Sequence, residues 1–403
     1  MKKEQKKKVQ WQQWMVMAFS MLIGAVCGVL MVSFAEQRGA ENRSVLENLI
    51  PLVILIFGVY AQLTIHEAGH LVFGMISGYQ FSSFRIGSII WLKENGRIAV
   101  KRLSLAGTGG QCLMLPPQMQ DGKIPVVLYN LGGCMMNLIA SAVFFVAYLL
   151  IPTGTVIPLF CLMMALIGVA LALMNGIPLR LGMVDNDGYN ALSLGKNPDA
   201  MYAFWLQLKV NEQIAKGMRL KQMPDAWFTV PDDEAMQNSM VATQGVFVAN
   251  RLMDQHRFAE ADRLMVHLLK INSGIVGLHR NLMICDRIYC ELIRDNRKDI
   301  LEGMLTKEQR KFMKAMKNFP SVVRTEYAYA LLALKDPEKA NTAHALFEKT
   351  AKAYPYPGDI QSERELMQIA DDAVSSGAQK TSADACCKPP AGREQEGENG
   401  NSK

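Results

Sequence analysis

Long apolar runs occupy the first part of the chain, whereas charged residues are spread through the remainder. Each of four runs is long enough, as a helix, to cross about 30 Å of hydrocarbon. We predict membrane-spanning helices near residues 14–35, 49–76, 126–151 and 156–177. The apolar core of the first run is too long for a signal peptide, and no convincing cleavage site precedes Glu36, so we interpret this run as a retained anchor.

Between the second and third runs the pattern changes to shorter segments rich in Ile, Val and Trp, at residues 84–92 and 97–103. They flank Asn95-Gly96, a dipeptide typical of a two-residue turn between antiparallel strands. We therefore predict a small membrane-associated β-hairpin within the region 79–120. This hairpin is either purely structural, or it has an unpaired strand edge that binds an extended peptide by strand addition.

From about Tyr189 the chain has the pattern of water-soluble helices, with apolar residues at helical spacing. The stretch 251–271 resembles the second half of a tetratricopeptide repeat, and residues 340–353 give a second, weaker match. A generic helical domain is the alternative. We predict a cytoplasmic α-helical, tetratricopeptide-like domain over residues 189–375. Residues 376–403 combine low hydrophobicity with many Gly, Glu, Ser and Lys residues, which predicts a disordered tail.

Charge placement predicts the orientation of the spans. The net charge is +6 in 403 residues, and a cluster of lysines precedes the first span. A basic run next to an apolar span is more often a topology signal than a nucleic-acid arm. The segment 78–125 is also basic, whereas residues 152–155 carry no charge. We therefore predict a mainly α-helical, multi-pass protein of the cell membrane with a membrane core over residues 1–188 and both termini cytoplasmic.

The chemistry is concentrated in His66-Glu67-Ala68-Gly69-His70, near the predicted cytoplasmic end of the second span. Residues four apart lie on one face of a helix, so both imidazoles can reach one cation. Neutral histidine is a usual zinc ligand, and Glu67 can act as a base toward water instead of binding the metal. Three such side chains are costly at membrane depth unless they have a task. A polar cluster that only packs helices is the alternative.

A catalytic zinc needs a third protein ligand and an open position. Asn175-Gly176-Ile177-Pro178 ends the fourth span, and Asp185-Asn186-Asp187-Gly188 follows it. Asp187 is the preferred third ligand and Asp185 is the second choice, although such a run is also common in ordinary turns. Glu94 would be the third ligand in a soluble-type metallopeptidase anchored by helices. That interpretation is less favoured, because a helix would normally supply the glutamate.

These elements resemble the site-2 protease family of intramembrane zinc metallopeptidases, over roughly residues 49–194. The first motif fits the family's H-E-x-G-H form, and the run from Gly132 to Asn137 is similar to its small-residue helix that ends in an asparagine. Asn175-x-x-Pro178 and Asp187-Gly188 are similar to its asparagine–proline and aspartate–glycine signature. The resemblance implies zinc bound by His66, His70 and Asp187, and it makes Asn137 and Asn175 candidates for positioning substrate or shaping the site. One departure is the gap between Pro178 and Asp187, which is longer than in the best-known members.

The sequence thus predicts an intramembrane zinc metalloendopeptidase that hydrolyses peptide bonds of a membrane-tethered peptide or protein, with Glu67 as the catalytic base. The alternative from another class is a catalytically inert, zinc-containing membrane scaffold whose helical domain recruits protein partners. We expect the substrate, the lipid bilayer and a protein partner of the helical domain as binding partners, and no nucleic acid.

Overall fold

A computed structural model describes residues 2–37, 45–94, 96–152, 155–180, 182–195 and 197–386 of the chain. Four long helices and four strands form the first half of the described chain. The helices are α1 (Lys2–Gln37), α2 (Val45–Ile76), α3 (Val127–Leu150) and α4 (Ile157–Gly176). The strands lie between α2 and α3 and are β1 (Gln80–Ile86), β2 (Ile89–Glu94), β3 (Arg97–Arg102) and β4 (Gly110–Leu115).

Ten further helices make up the second half of the described chain. They are α5 (Asp187–Leu194), α6 (Pro198–Ala215), α7 (Ser239–Asp254), α8 (Phe258–Lys270), α9 (Gly277–Arg294), α10 (Lys298–Met304), α11 (Lys307–Ala315), α12 (Pro320–Ala328), α13 (Pro337–Ala353) and α14 (Pro357–Cys386). Short 3-10 turns lie at Leu220–Gln222, Asp225–Trp227 and Ala235–Gln237, and a π-helical turn at Tyr329–Ala333 follows α12. The prediction of a mainly helical protein is therefore confirmed.

Four helices of the described chain are long and apolar enough to cross a membrane, as the hydrophobic pattern predicted. The qualifying segments are Trp11–Leu30, Leu49–Ile76, Val127–Leu150 and Ile157–Gly176. Many of their large apolar side chains point outward; Phe57 on α2 is 60% exposed and Leu149 on α3 is 64% exposed. Apolar side chains on the outside of a helix bundle are suited to contact with lipid and are unfavourable in water.

Small residues allow α2, α3 and α4 to pack closely. A Cβ atom added at Gly69 of α2 would lie 2.3 Å from the carbonyl oxygen of Gly132 on α3, so neither neighbour could be larger. Polar side chains join the helices as well, and Gln62 Nε2 donates to the carbonyl oxygen of Met164 on α4 at 2.8 Å. Close backbone approach and interhelical hydrogen bonds are the usual sources of helix association in membranes.

The strands form one antiparallel sheet in the order β3-β2-β1-β4. Glu94 pairs with Arg97, as expected for a two-residue turn, although Asn95 of that turn lies outside the described residues. The prediction of one strand over residues 84–92 was wrong, because Ile86 pairs with Ile89 and a second tight turn separates β1 from β2. Gly87 permits that turn with φ +57°. The sheet also contains β4, so it is larger than the predicted hairpin.

The helices after α5 pack against the sheet and the loop that follows α4. Trp205 Nε1 of α6 donates to the carbonyl oxygen of Pro117 at 3.2 Å. Arg180 Nη2 donates to the carbonyl oxygen of Gly274 at 2.8 Å, and the Gly277 amide donates to that of Gly182 at 2.6 Å. These bonds join the helical domain to the segment that carries Asp185 and Asp187.

Two predictions about the helical half concern its local organisation. The predicted repeat segment 251–271 contains a break between α7 and α8, where His256 has φ +59°, so it includes parts of two helices. The tetratricopeptide arrangement itself stays a prediction. Helix α14 continues to Cys386, into the segment predicted to be a disordered tail, and residues 387–403 lie outside the described residues.

Candidate metal centre

His66 and His70 lie one turn apart on the buried face of α2. Only 4% of His66 and 8% of His70 is exposed, and their Nε2 atoms are 3.2 Å apart. The α-helix therefore brings the two imidazoles to one point, as their spacing predicts.

Asp187 comes to the same point because Asn186 fixes the chain between α4 and α5. The side chain of Asn186 caps α5 by accepting from the Tyr189 amide at 3.0 Å, and its Nδ2 donates to the carbonyl oxygen of Ile177 at 2.6 Å. A Cβ atom at Gly188 would lie 2.1 Å from the carbonyl oxygen of Gly176, so only glycine allows α5 to start against the end of α4. Asp187 is thereby held at the start of α5.

The carboxylate of Asp187 completes a group of three donor atoms. Its Oδ2 lies 3.0 Å from His66 Nε2 and 3.4 Å from His70 Nε2. Burial opposes ionisation of Asp187, but the adjacent His70 and the hydrogen bond to His66 outweigh it and hold the pKa of the carboxyl below its usual value. Asp187 is therefore in its anionic form, the form that binds metal.

Hydrogen bonds to the outer nitrogens fix the tautomers of both histidines. His70 Nδ1 lies 2.8 Å from the backbone carbonyl oxygen of Tyr129, which can only accept. His66 Nδ1 lies 2.7 Å from Asn137 Oδ1, whose amide nitrogen donates to the Gln62 backbone oxygen at 2.9 Å. Both Nδ1 atoms therefore carry a proton, and both Nε2 atoms, which are the ones available to a metal ion, face Asp187.

Three atoms that can each offer a lone pair repel at such distances unless a proton or a metal cation lies between them. Ligands at about 2.0–2.1 Å in a tetrahedral zinc site are about 3.3–3.4 Å apart. The three separations among His66, His70 and Asp187 are 3.0, 3.2 and 3.4 Å. These three form the one such group of His, Cys, Asp or Glu side chains found in the part of the chain that the structure describes. The group could hold a metal ion, and its composition fits zinc.

Glu67 is buried beside this group, with 6% of its surface exposed. A Cβ atom at Gly110 of β4 would lie 2.4 Å from Glu67 Oε1 and 2.6 Å from its Cγ, so the carboxylate packs directly on the backbone of β4. Arg85 is close enough to attract Glu67, and its Nη2 donates to the Gly110 carbonyl oxygen at 3.1 Å. The sheet therefore fixes the position of Glu67.

The metal group and Glu67 line a cavity of about 410 Å³. One wall is formed by α2, α3 and β4, and the opposite wall by α6, α7 and the start of α9. Gln207, Asn211 and Thr243 give the second wall a partly polar surface. The volume falls in the range of small-molecule and peptide side-chain sites, and the lining offers several hydrogen-bonding groups to a peptide.

The other residues predicted for the site, Asp185, Asn175 and Glu94, are not part of the metal group. Asp185 lines the cavity, but its Oδ1 is 3.3 Å from Arg180 Nε, so it belongs to an ion pair. Asn175 also lines the cavity, and its amide donates to the Leu171 carbonyl oxygen at 3.0 Å. Glu94 pairs with Arg97 at the far turn of the sheet and is not part of the metal group.

Two residues that shape the site were missed by the sequence analysis. Gln62 supports Asn137, and the Tyr129 carbonyl group holds His70. Gln62 had a detectable signal, because it is a polar residue four positions before His66 in an apolar run. A backbone carbonyl carries no such signal.

Comparisons with protein-family models, with curated proteins and with solved structures gave no match. The interpretation of the site therefore depends on its own geometry and on the resemblance of its motifs.

Proposed function

We propose that this protein is an intramembrane zinc metalloendopeptidase that hydrolyses a membrane-tethered peptide or protein. The observation that carries the proposal is the convergence of His66 Nε2, His70 Nε2 and Asp187 Oδ2 within 4.8 Å, with Glu67 in the same cavity. Two histidines and a carboxylate occupy three positions of a tetrahedral zinc site and leave the fourth open. Three protein ligands are typical of catalytic zinc sites, whereas structural zinc sites have four.

The residues of the chain have distinct tasks in this proposal. When bound, zinc would polarise the scissile carbonyl group and acidify a water molecule beside it. Glu67 would accept a proton from that water as its oxygen attacks the carbonyl carbon, and would then give the proton to the leaving amine nitrogen. Asn137 and the Tyr129 carbonyl group keep the imidazoles oriented, and Gly110 gives Glu67 the space it needs.

The surroundings of the cavity favour a peptide substrate near the membrane. The two histidines of the metal group lie on a helix that is long and apolar enough to span a membrane, and the cavity is also bordered by the helical domain. By the charge pattern of the sequence, that domain and both termini would be cytoplasmic. A peptide could then enter from the cytoplasmic side while still attached to the membrane.

Strand β4 is the element on which an extended substrate would lie. It pairs with β1 on one side, and no other strand of the described chain pairs with it. Residues Gly110 to Leu113 line the cavity. The Tyr129 hydroxyl donates to the Cys112 carbonyl oxygen at 2.9 Å, so this carbonyl group is less available to a substrate strand. The helical domain, whether tetratricopeptide-like or not, would recruit a protein partner.

Metal content and hydrolysis can be tested separately with purified full-length protein in detergent. We expect about one zinc per chain, lost in His66→Ala and Asp187→Ala but kept in Asp185→Asn, the matched control in the Arg180 ion pair. Glu67→Gln should keep zinc and fail to hydrolyse. The membrane peptides that accumulate in cells with Glu67→Gln would be compared with those of wild-type cells.

Two outcomes would contradict the proposal. Folded wild-type protein without affinity for zinc would exclude a metallopeptidase. Zinc binding combined with an unchanged peptide pattern in the Glu67→Gln cells would instead favour the inert scaffold, because hydrolysis in this site requires the base.

A further inference from the structure

A second cavity, of about 190 Å³, lies inside the helical domain. Helices α6, α7, α9, α12 and α14 contribute to its walls. Its lining contains six charged side chains, of which four are acidic: Arg219, Asp254, Asp286, Arg324, Asp359 and Glu363. We call it the acidic cavity.

The two arginines of the acidic cavity are already shared among several carboxylates. Arg219 donates to Asp254 at 2.9 Å and to Glu365 at 2.8 Å. Arg324 donates to Glu363 at 2.8 Å and also to Asp286. Lys221 lies 3.4 Å from Glu365 and contributes a further positive charge at the edge of the cluster. Carboxyl groups still outnumber the arginine and lysine side chains of this cluster, and the further contact of Glu365 is with His256 Nε2 at 3.4 Å.

The excess is centred on Asp359, which has no ion-pair partner among the residues that the structure describes. Burial, followed by repulsion from Glu363 and Asp254, raises the pKa of Asp359 to about 7, and a hydrogen bond from Tyr354 offsets only part of this effect. Asp359 is only partly exposed, and the charged form of such a carboxyl group is unfavourable without a cation beside it.

His279 also lines the acidic cavity, and it does not supply a positive charge. Its Nδ1 atom is buried and has no hydrogen-bond partner in the described part of the chain. Burial lowers the pKa of His279 to about 4, so the imidazole is neutral at physiological pH. The cavity therefore contains both an unpaired carboxylate and an unsatisfied imidazole nitrogen, and a bound ligand could complement both.

The acidic cavity adjoins the metal cavity along two helices. His279 lines both cavities, and Leu278 and Met283 extend the wall of α9 to either side of it. On α7, Thr243 lines the metal cavity and Asn250 lines the acidic cavity, seven residues further along the same helix face. Seven residues of helix span about 10 Å, the length of about three residues of extended peptide.

We infer that the acidic cavity binds a primary ammonium group, an amino terminus or a lysine side chain, of the peptide that enters the metal cavity. This inference rests on the proposed function for the identity of the ligand as a peptide. An ammonium group has three donors that can reach several carboxylates, and it fits a volume of about 190 Å³. The two arginines of the lining repel a divalent metal ion about twice as strongly as a singly charged ammonium group at the same place. The charge would lie about three or more residues from the hydrolysed bond.

Binding of small probes to full-length Glu67→Gln protein at pH 7.5 tests the inference without hydrolysis. N-acetyl-lysine amide presents the side-chain ammonium group, alanine amide presents the α-ammonium group, and N-acetyl-norleucine amide presents neither. We expect calorimetric binding of at least one ammonium probe and none of the norleucine probe. Asp359→Asn should weaken this binding at least tenfold, whereas Asp299→Asn, an exposed carboxylate on α10, should leave it unchanged.

The response of the two ammonium probes identifies the source of the charge. The inference is overturned if no ammonium probe binds, if the norleucine probe binds equally, or if folded Asp359→Asn binds as the parent does. Because this readout needs no peptide hydrolysis, its failure is separate from failure of the metallopeptidase proposal. Conversely, if the probes bind but the wild-type protein cleaves no peptide, the ammonium site is supported and the metallopeptidase proposal is refuted.

Discussion

The sharpest prediction about the metal centre concerns Gly133 of α3. A Cβ atom at this position would lie 2.6 Å from both Cε1 and Nε2 of His66, about 0.8 Å inside ordinary van der Waals contact. Helix α3 also packs against α4, which limits its freedom to move away from α2. We therefore expect Gly133→Ala to push His66 away from His70 and Asp187.

The expected effect on metal affinity follows from this displacement. Metal–ligand distances tolerate changes of about 0.2 Å, so a shift several times larger removes His66 from effective coordination. We expect zinc affinity to fall on the order of 100-fold, or about 2.7 kcal/mol. Replacement of glycine by alanine stabilises a helix by about 1 kcal/mol, so we do not expect the loss of zinc affinity to result from unfolding.

The control is Gly176→Ala at the end of α4. Its added Cβ atom would lie 3.5 Å from Cys134 Sγ, an ordinary contact, so zinc affinity should stay near the wild-type value. Affinity would be measured by competition with a chromophoric chelator, and folding by thermal denaturation followed by circular dichroism. A folded Gly133→Ala protein with wild-type affinity would refute the placement of His66 in the metal site.

Two further predictions concern other buried side chains. Asn137→Leu removes the acceptor of the His66 Nδ1 proton and should lower zinc affinity about 10- to 100-fold in the same chelator assay, whereas Asn175→Leu, which loses a bond to its own helix, should not. Asp359→Asn should stabilise the protein increasingly as the pH rises from about 4 to about 7, by up to about 4 kcal/mol, and should have no effect below pH 4. The pKa of Asp359 is higher in the folded than in the unfolded protein, so ionisation of this carboxyl group lowers the stability of the wild-type protein as the pH rises. The neutral asparagine avoids this loss, and equal thermal midpoints of the two proteins at pH 8 would contradict the prediction.

Much of the architecture could be predicted from local patterns. Apolar runs of sufficient length predict helices that can span a membrane, whatever they pack against, because the hydrocarbon thickness sets the required length. The four-residue spacing of His66 and His70 likewise predicts a shared site, because it depends on helix geometry alone. In contrast, the turn at Gly87 was missed, because residues 84–92 form a continuous β-like run in which one glycine was a weak signal.

The sequence by itself determined the two imidazoles, the adjacent glutamate and the apolar helix that carries them. Only the tertiary structure decided which aspartate joins them, because Asp185 and Asp187 differ by their partners and not by their local sequence. Arg180 pairs with Asp185, while the Asn186 cap and the contact of Gly188 with Gly176 direct Asp187 to the histidines. The acidic cavity is a tertiary feature for the same reason, since its charges come from segments more than a hundred residues apart in the chain. Pairwise spacing within one helix can be inferred from sequence, whereas contacts between distant segments depend on how the whole chain packs.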